Sequence, residues 1–110
     1  MNSDQILKKI DSFNDELINL RRHIHAHPEL SGLENQTAIL ISGYLKKIGW
    51  KVTESVGRTG VTADFGPVDK GIIGLRVDMD ALPIFEETQL CFSSKVDGVM
   101  HACGHDLHIS

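Results

Sequence analysis

Apolar residues recur at helical spacing near the start of the chain, at positions 6, 10, 13, 17, 20 and 24. This spacing predicts one long amphipathic helix from Ser3 to about His25. Ser3 or Asp4 can cap its start, since both side chains accept hydrogen bonds from free backbone N–H groups. Pro28 ends it, because proline disfavours the helical conformation of the preceding residue.

Further along, the pattern predicts a second helix and then strands. The helix runs from about Glu34 to Ile48, and Gly49 follows at the left-handed position that commonly ends a helix. The predicted strands are residues 50–56, 61–65 and 72–79, and the nearly continuous apolar run of the third favours a central position in a parallel sheet. Residues 82–99 read as a long loop. Two helices followed by three or more strands are typical of a layered α/β domain.

Composition narrows the possible functions. The 110 residues carry a net charge of −4, basic residues are scattered, and only 5% are aromatic, so nucleic-acid binding is not expected. The sequence has no signal-peptide core and no apolar run of membrane length, which predicts a cytoplasmic protein without a membrane partner. Cys91 and Cys103 are too few for a disulfide framework. A single bond between them is the alternative, and such bonds are rare in the cytosol.

The densest group of metal-capable side chains lies near the C-terminus. Cys103 and His105 offer a thiolate and an imidazole, which zinc and similar divalent ions accept. Residues two apart diverge on a regular helix, so the two converge only in a loop or at a helix start, which Gly104 permits. The alternative is a buried cysteine beside surface histidines. Further candidates in this stretch are His101, Asp106 and His108.

Two carboxylates, Asp78 and Asp80, follow the predicted central strand. Ligands commonly bind outside the carboxyl ends of strands, and the i, i+2 spacing puts both groups on one face. Either could bind a metal ion or orient a metal-bound histidine. Equally, the two could cap a turn or pair with Arg76.

His23 and His27 form another histidine pair, four residues apart on the first predicted helix. They face one side, as in half of a helical metal site. No glutamate stands at the offset that metalloprotease helices use, so a structural role at the helix exit is favoured.

Four blocks of the sequence resemble the M20-type metallo-amidohydrolases, in the branch of hippurate hydrolases, N-acyl-amino-acid deacylases and auxin-conjugate hydrolases. Together the blocks cover nearly the whole chain. They are Arg22-x-x-His25-x-x-Pro28-Glu29-Leu30-Ser31, Gly74-Leu-Arg-Val-Asp78-Met-Asp80-Ala-Leu-Pro83-Ile, Glu86-Glu87-Thr88, and Asp97-Gly-Val-Met-His101-Ala-Cys103-Gly-His105-Asp106-x-His108.

The resemblance implies that Cys103 and His105 are two of the five protein ligands of a two-metal site. Asp78 would orient a ligand, with Arg76 standing where the wider family has a histidine. Divalent ions (manganese, zinc, cobalt or nickel) would activate a bridging water and polarise the acyl carbonyl. The substrate would be a small N-acyl amino acid, of the hippurate or N-acetyl-amino-acid type.

The resemblance also implies that residues 1–110 are the N-terminal part of the catalytic, metal-binding domain. In the family, the general-base glutamate, a metal-binding carboxylate and two further histidine ligands lie downstream, as does the lid domain with the dimer contact. We therefore expect the isolated chain to be inactive and a homodimer to be a property of a longer protein. The alternatives are a non-catalytic metal-binding or association module, pairing through an open edge of the parallel sheet, and a folded chain whose cluster binds nothing.

Overall fold

Three helices occupy the first half of the protein. The computed structural model describes residues 1–110 apart from the side chain of Lys70. Helix α1 spans Ser3–Asp11, α2 spans Asn14–Ala26 and α3 spans Asn35–Lys47. Asn2, rather than Ser3 or Asp4, caps α1, because its side chain accepts from the Gln5 N–H while the Gln5 side chain accepts from the Asn2 N–H.

The prediction of one N-terminal helix is wrong, because the helix is interrupted between α1 and α2. The Ser12 hydroxyl donates to the Lys9 carbonyl at 2.6 Å, and the Phe13 N–H donates to the Ile10 carbonyl at 2.9 Å. These three-residue spacings tighten the last turn and end the α-helical ladder. The apolar side chains of α1, such as Ile6, are exposed, so no packing holds the two helices in line.

Helix α3 matches its predicted bounds to within one residue at each end, and Gly49 has the expected left-handed backbone, with φ +88°. The Glu29 carboxylate accepts from the backbone N–H groups of Gln36 at 3.0 Å and Thr37 at 2.6 Å. An anion at this end also suits the helix dipole. The segment that leaves α2 is therefore tied to the start of α3.

The sheet is an antiparallel hairpin of β1 (Lys51–Val56) and β2 (Gly60–Asp64). Both strands were predicted, but the expectation of a parallel sheet is wrong. Three residues join the strands, whereas a parallel connection needs a crossover of a dozen or more. Gly60 is required at the turn, because a Cβ there would lie 2.5 Å from the Val56 carbonyl oxygen.

The predicted third strand, residues 72–79, is not a strand in the part of the chain that the structure describes. Strand backbone needs a neighbour for its hydrogen bonds, and the described sheet consists of β1 and β2. The apolar side chains that suggested a central strand are accordingly exposed, Ile73 by 99% and Leu75 by 91%. The mixed α/β class itself is confirmed.

The protein is open for its mass. It exposes 8164 Å², whereas a compact protein of this size exposes about 6,000 Å². Its radius of gyration is 15.6 Å, against about 13 Å for a compact domain. The buried apolar residues are Leu20, Ile24, Ala26 and Ala81. Among the described residues, no helix is both long and apolar enough to cross a membrane.

Candidate metal centre

Two isolated bridges join later segments of the chain. Leu30, which follows α2, pairs with Ala81 in parallel, and Leu82 pairs with Met100 in antiparallel fashion. The second bridge closes residues 82–99, which form the irregular loop that was predicted. The Lys95 N–H donates to the Ala26 carbonyl at 2.9 Å, which ties this loop to the last turn of α2.

The Cys103-Gly104-His105 motif lies at a helix start, which confirms the predicted backbone. Gly104 has φ +86° and precedes the short helix α4 (His105–Ile109). A left-handed backbone at this position favours glycine. Because the backbone is not helical there, the side chains of Cys103 and His105 point in directions different from those they would have on a regular helix. Cys103 is exposed, and both cysteines are free thiols, so the alternative of a Cys91–Cys103 disulfide is wrong.

His105 is held in one orientation by Asp80. Its ring Nδ1 lies 2.8 Å from the Asp80 carbonyl oxygen and 3.1 Å from Asp80 Oδ1. Because a carbonyl only accepts, Nδ1 carries the proton and donates. The Nε2 lone pair is then left for a metal ion, the arrangement that metal-binding histidines usually have.

Asp78 takes a different contact from the one implied by the family resemblance. Arg76 Nη2 donates to Asp78 Oδ1 at 2.7 Å, and the Asp78 side chain is 46% exposed. This matches the alternative of pairing with Arg76. The contact that orients His105 comes from Asp80, two residues further on, so the role of Asp78 beside a metal ligand stays a prediction.

A largely buried group of polar side chains, which we call the ionic network, adjoins the motif: the buried side chains of His25, Glu86 and Asp106, and the partly exposed Arg21. Asp106 Oδ2 accepts from Arg21 Nε at 2.9 Å and lies 2.8 Å from His25 Nδ1. The other ring nitrogen, His25 Nε2, lies 3.0 Å from Glu86 Oε1. The Asp106 side chain is fully buried.

Sequence reasoning missed the ionic network. The available signal was the four-residue spacing of Arg21 and His25 on α2, next to the buried Ile24. Its carboxylate partners come from segments far along the chain, which no local pattern reveals. The neighbouring His23 and His27 rings contact each other instead in a tilted arrangement, with centroids 4.5 Å apart, and His27 Nδ1 bonds the His23 carbonyl, in keeping with the structural role that was favoured.

Both carboxylates of the network are held ionised. Burial alone would raise the pKa of Glu86, but hydrogen bonds from the Thr88 hydroxyl, the Ser94 N–H and His25 outweigh it and lower that pKa to about 2. Burial likewise opposes ionisation of Asp106, and contacts with His25 and Arg21 lower its pKa. At both carboxylates the contacts that favour the charged form thus outweigh the effect of burial on the pKa.

His101 lies beside this network and is also buried. Desolvation is the largest effect on its pKa and lowers it, which keeps the ring neutral. Among the described side chains, both of its ring nitrogens and Asp106 Oδ1 lack a hydrogen-bond partner. No group of three or more His, Cys, Asp or Glu side chains in the described residues is arranged to hold a metal ion. Cys103 and His105 therefore offer two donors rather than a complete site.

Replacing Glu86 by glutamine is expected to remove an acid-dependent part of the stability. In the folded chain the pKa of Glu86 is lowered from its ordinary value of 4.5 to about 2, so this contribution is complete above pH 4.5 and is lost as the pH falls towards 2. A shift of this size corresponds to about 3 kcal/mol. Urea unfolding of the wild type and the variant across this range measures the difference.

Glu87 provides the matched control, because it is adjacent and exposed. The Glu87→Gln variant should follow the wild-type pH dependence. Parallel pH profiles for the Glu86→Gln and Glu87→Gln chains would contradict the assignment of this stability to Glu86.

Comparisons with known proteins give a matching family and several similar relatives. The profile of Peptidase family M20/M25/M40 matches residues 74–110. The chain is 45% identical over 100 residues to an N-acetyl-L-cysteine deacetylase of Bacillus subtilis, covering 90% of the chain and 24% of that protein. It is 42% identical over 109 residues to an N-acyl-L-amino acid amidohydrolase of Geobacillus stearothermophilus, covering 98% of the chain and 30% of that protein.

A solved structure shows the same fold. The crystal structure of the Bacillus subtilis YXEP protein, described as a dinuclear metal binding peptidase from the M20 family, matches with a TM-score of 0.78 and 45% identity. The match covers 90% of this chain and 28% of that structure. The chain thus spans less than a third of the length of each of these proteins.

Proposed function

Because the chain belongs to the peptidase family M20/M25/M40, we propose that it is the N-terminal, metal-binding part of an enzyme that hydrolyses the amide bond of N-acyl amino acids. The observation that carries the proposal is the His105 ring, whose Nδ1 is engaged by Asp80 beside the exposed thiol of Cys103. The names of the two relatives, a deacetylase and an amidohydrolase, support the substrate class.

The residues present fit part of a divalent-metal site. Cys103 and His105 would hold the metal, and Asp80 keeps the ligating nitrogen of His105 free. Asp78, two residues before Asp80 and paired with Arg76, is proposed to help orient these metal ligands. When bound, divalent ions such as manganese, zinc, cobalt or nickel acidify a water molecule and polarise the acyl carbonyl.

The two carboxylates of the ionic network, Glu86 and Asp106, are poor general bases. A general base works best with a pKa near the working pH, and the pKa of Glu86 is about 2. Both oxygens of Glu86 already accept hydrogen bonds, and Asp106 is paired with Arg21 and His25. This chain would therefore supply ligands and their scaffold, and we propose that alone it does not hydrolyse N-acyl amino acids.

A hybrid enzyme tests the proposal. The chain replaces the corresponding part of the Bacillus subtilis N-acetyl-L-cysteine deacetylase, to which it is 45% identical. The hybrid is expected to hydrolyse N-acetyl-L-cysteine, to lose this activity with a chelator and to regain it with Mn²⁺ or Zn²⁺. The isolated chain should show no turnover. A folded hybrid that has no chelator-sensitive activity, assayed beside the active parent enzyme, would refute the proposal.

A further inference from the structure

The ionic network joins three segments that are distant in the sequence. Arg21 and His25 belong to α2, Glu86 to the loop 82–99, and Asp106 to the first turn of α4. His25 lies 61 residues from Glu86 and 81 residues from Asp106. A single imidazole therefore links both later segments to the second helix.

Helix α4 needs such an anchor. It has five residues, and no side chain caps its N-terminal Gly104. An isolated helix this short is unstable in water, because nucleation fixes several residues for each hydrogen bond gained. Its Leu107 side chain is 62% exposed and adds little burial, whereas Asp106 is fully buried. The bonds of Asp106 to Arg21 and His25 thus tie this turn to α2, while His105 contacts Asp80.

We propose that Arg21 and His25 are positioning residues for the metal-binding motif. Through Asp106 they fix the first turn of α4, and this turn sets His105 against Asp80 with Nδ1 donating. The inference rests on the proposed function in one respect, that His105 is a metal ligand. The placement of His105 by α2 can be measured without metal or substrate.

Imidazole ¹⁵N NMR of the 110-residue chain tests the proposal, at a fixed pH where exposed histidines are neutral. In the wild type, His105 should be the Nδ1–H tautomer. In His25→Ala, the first turn of α4 loses its bond to His25 and keeps only the bond to Arg21, so the Nε2–H form of His105 should change from the minor to the major tautomer. His23→Ala is the matched control, an exposed histidine on the same helix, and should leave His105 unchanged.

A second pair of variants separates positioning from general unfolding. Arg21→Ala removes a side chain that is partly exposed (37%) and leaves the His25–Asp106 contact, so a smaller shift of the same sign is expected. Arg21→Lys should restore the wild-type tautomer, and Arg22→Ala should have no effect. Amide exchange of α3 checks that the rest of the chain stays folded.

Several outcomes would overturn the proposal. These are a wild-type His105 without a tautomer preference, or a His105 that keeps its Nδ1–H form in both His25→Ala and Arg21→Ala. Because neither metal nor substrate is present, an inactive hybrid enzyme with the expected tautomer shift would refute only the proposed function. An active hybrid without the shift would refute only this inference.

Discussion

Replacing His105 by alanine in the hybrid enzyme is expected to lower kcat/KM for N-acetyl-L-cysteine by more than about 100-fold. Loss of a group that merely supports a metal ligand already costs about 10- to 100-fold in metal affinity or activity, and His105 is proposed to be a ligand itself. Its ring is partly buried and oriented by Asp80. Metal content and steady-state kinetics of the purified hybrid measure the effect.

The chain provides controls for this result. His23→Ala removes an exposed histidine at a distance from the motif and should leave metal content and kcat/KM unchanged. Cys103→Ser should also lower metal content, whereas Cys91→Ser, at the other free thiol, should not. Unchanged metal content and kinetics in the His105→Ala hybrid would remove His105 from the site.

The largest loss of stability is expected for Asp106→Ala. Its carboxylate is fully buried and accepts from Arg21 and His25. Removing one partner of a buried ion pair typically costs about 3–5 kcal/mol, because the remaining charge stays uncompensated. A small domain has only about 5–15 kcal/mol in total. Denaturant unfolding, with amide exchange in α4, measures the loss.

Two further substitutions serve as controls for this result. Asp106→Asn keeps the shape and one accepting oxygen, so it should lose less than Asp106→Ala. Asp97→Ala removes an exposed carboxylate from the same region and should be nearly neutral. If Asp106→Ala and Asp97→Ala destabilise the chain equally, the ionic network does not stabilise the fold.

Local patterns predicted the elements whose stabilising contacts are local. Helix α3 and the β1–β2 hairpin lie close to their predicted positions, because capping by Glu29 and a three-residue turn involve neighbouring residues. The split between α1 and α2 was missed, because helical periodicity continues across Ser12 while the hydroxyl bond to Lys9 ends the ladder. The prediction of a strand at residues 72–79 was wrong for another reason. Its apolar pattern indicates a strand, but a strand also needs a neighbouring strand for its hydrogen bonds.

The candidate site was predictable to a similar extent. The spacing of Cys103, Gly104 and His105 predicted a loop or a helix start, since the two side chains diverge on a regular helix, and the structure has a helix start there. For Asp78 and Asp80 the sequence left open metal binding, orientation of a histidine, capping of a turn and pairing with Arg76. In the structure it is Asp80 that contacts the His105 ring. The ionic network could not be found, because the contact of His25 with Asp106 spans 81 residues.

That 81-residue separation has a consequence for the folding pathway. Closing a long loop costs more entropy than closing a short one, and contacts between distant residues slow folding. Helix α3 and the hairpin can form from short-range contacts, whereas the His25–Asp106 contact must wait until α2 and α4 meet. Acquisition of metal-binding geometry should therefore lag behind helix formation, and the motif should be among the last parts of the chain to reach its final structure.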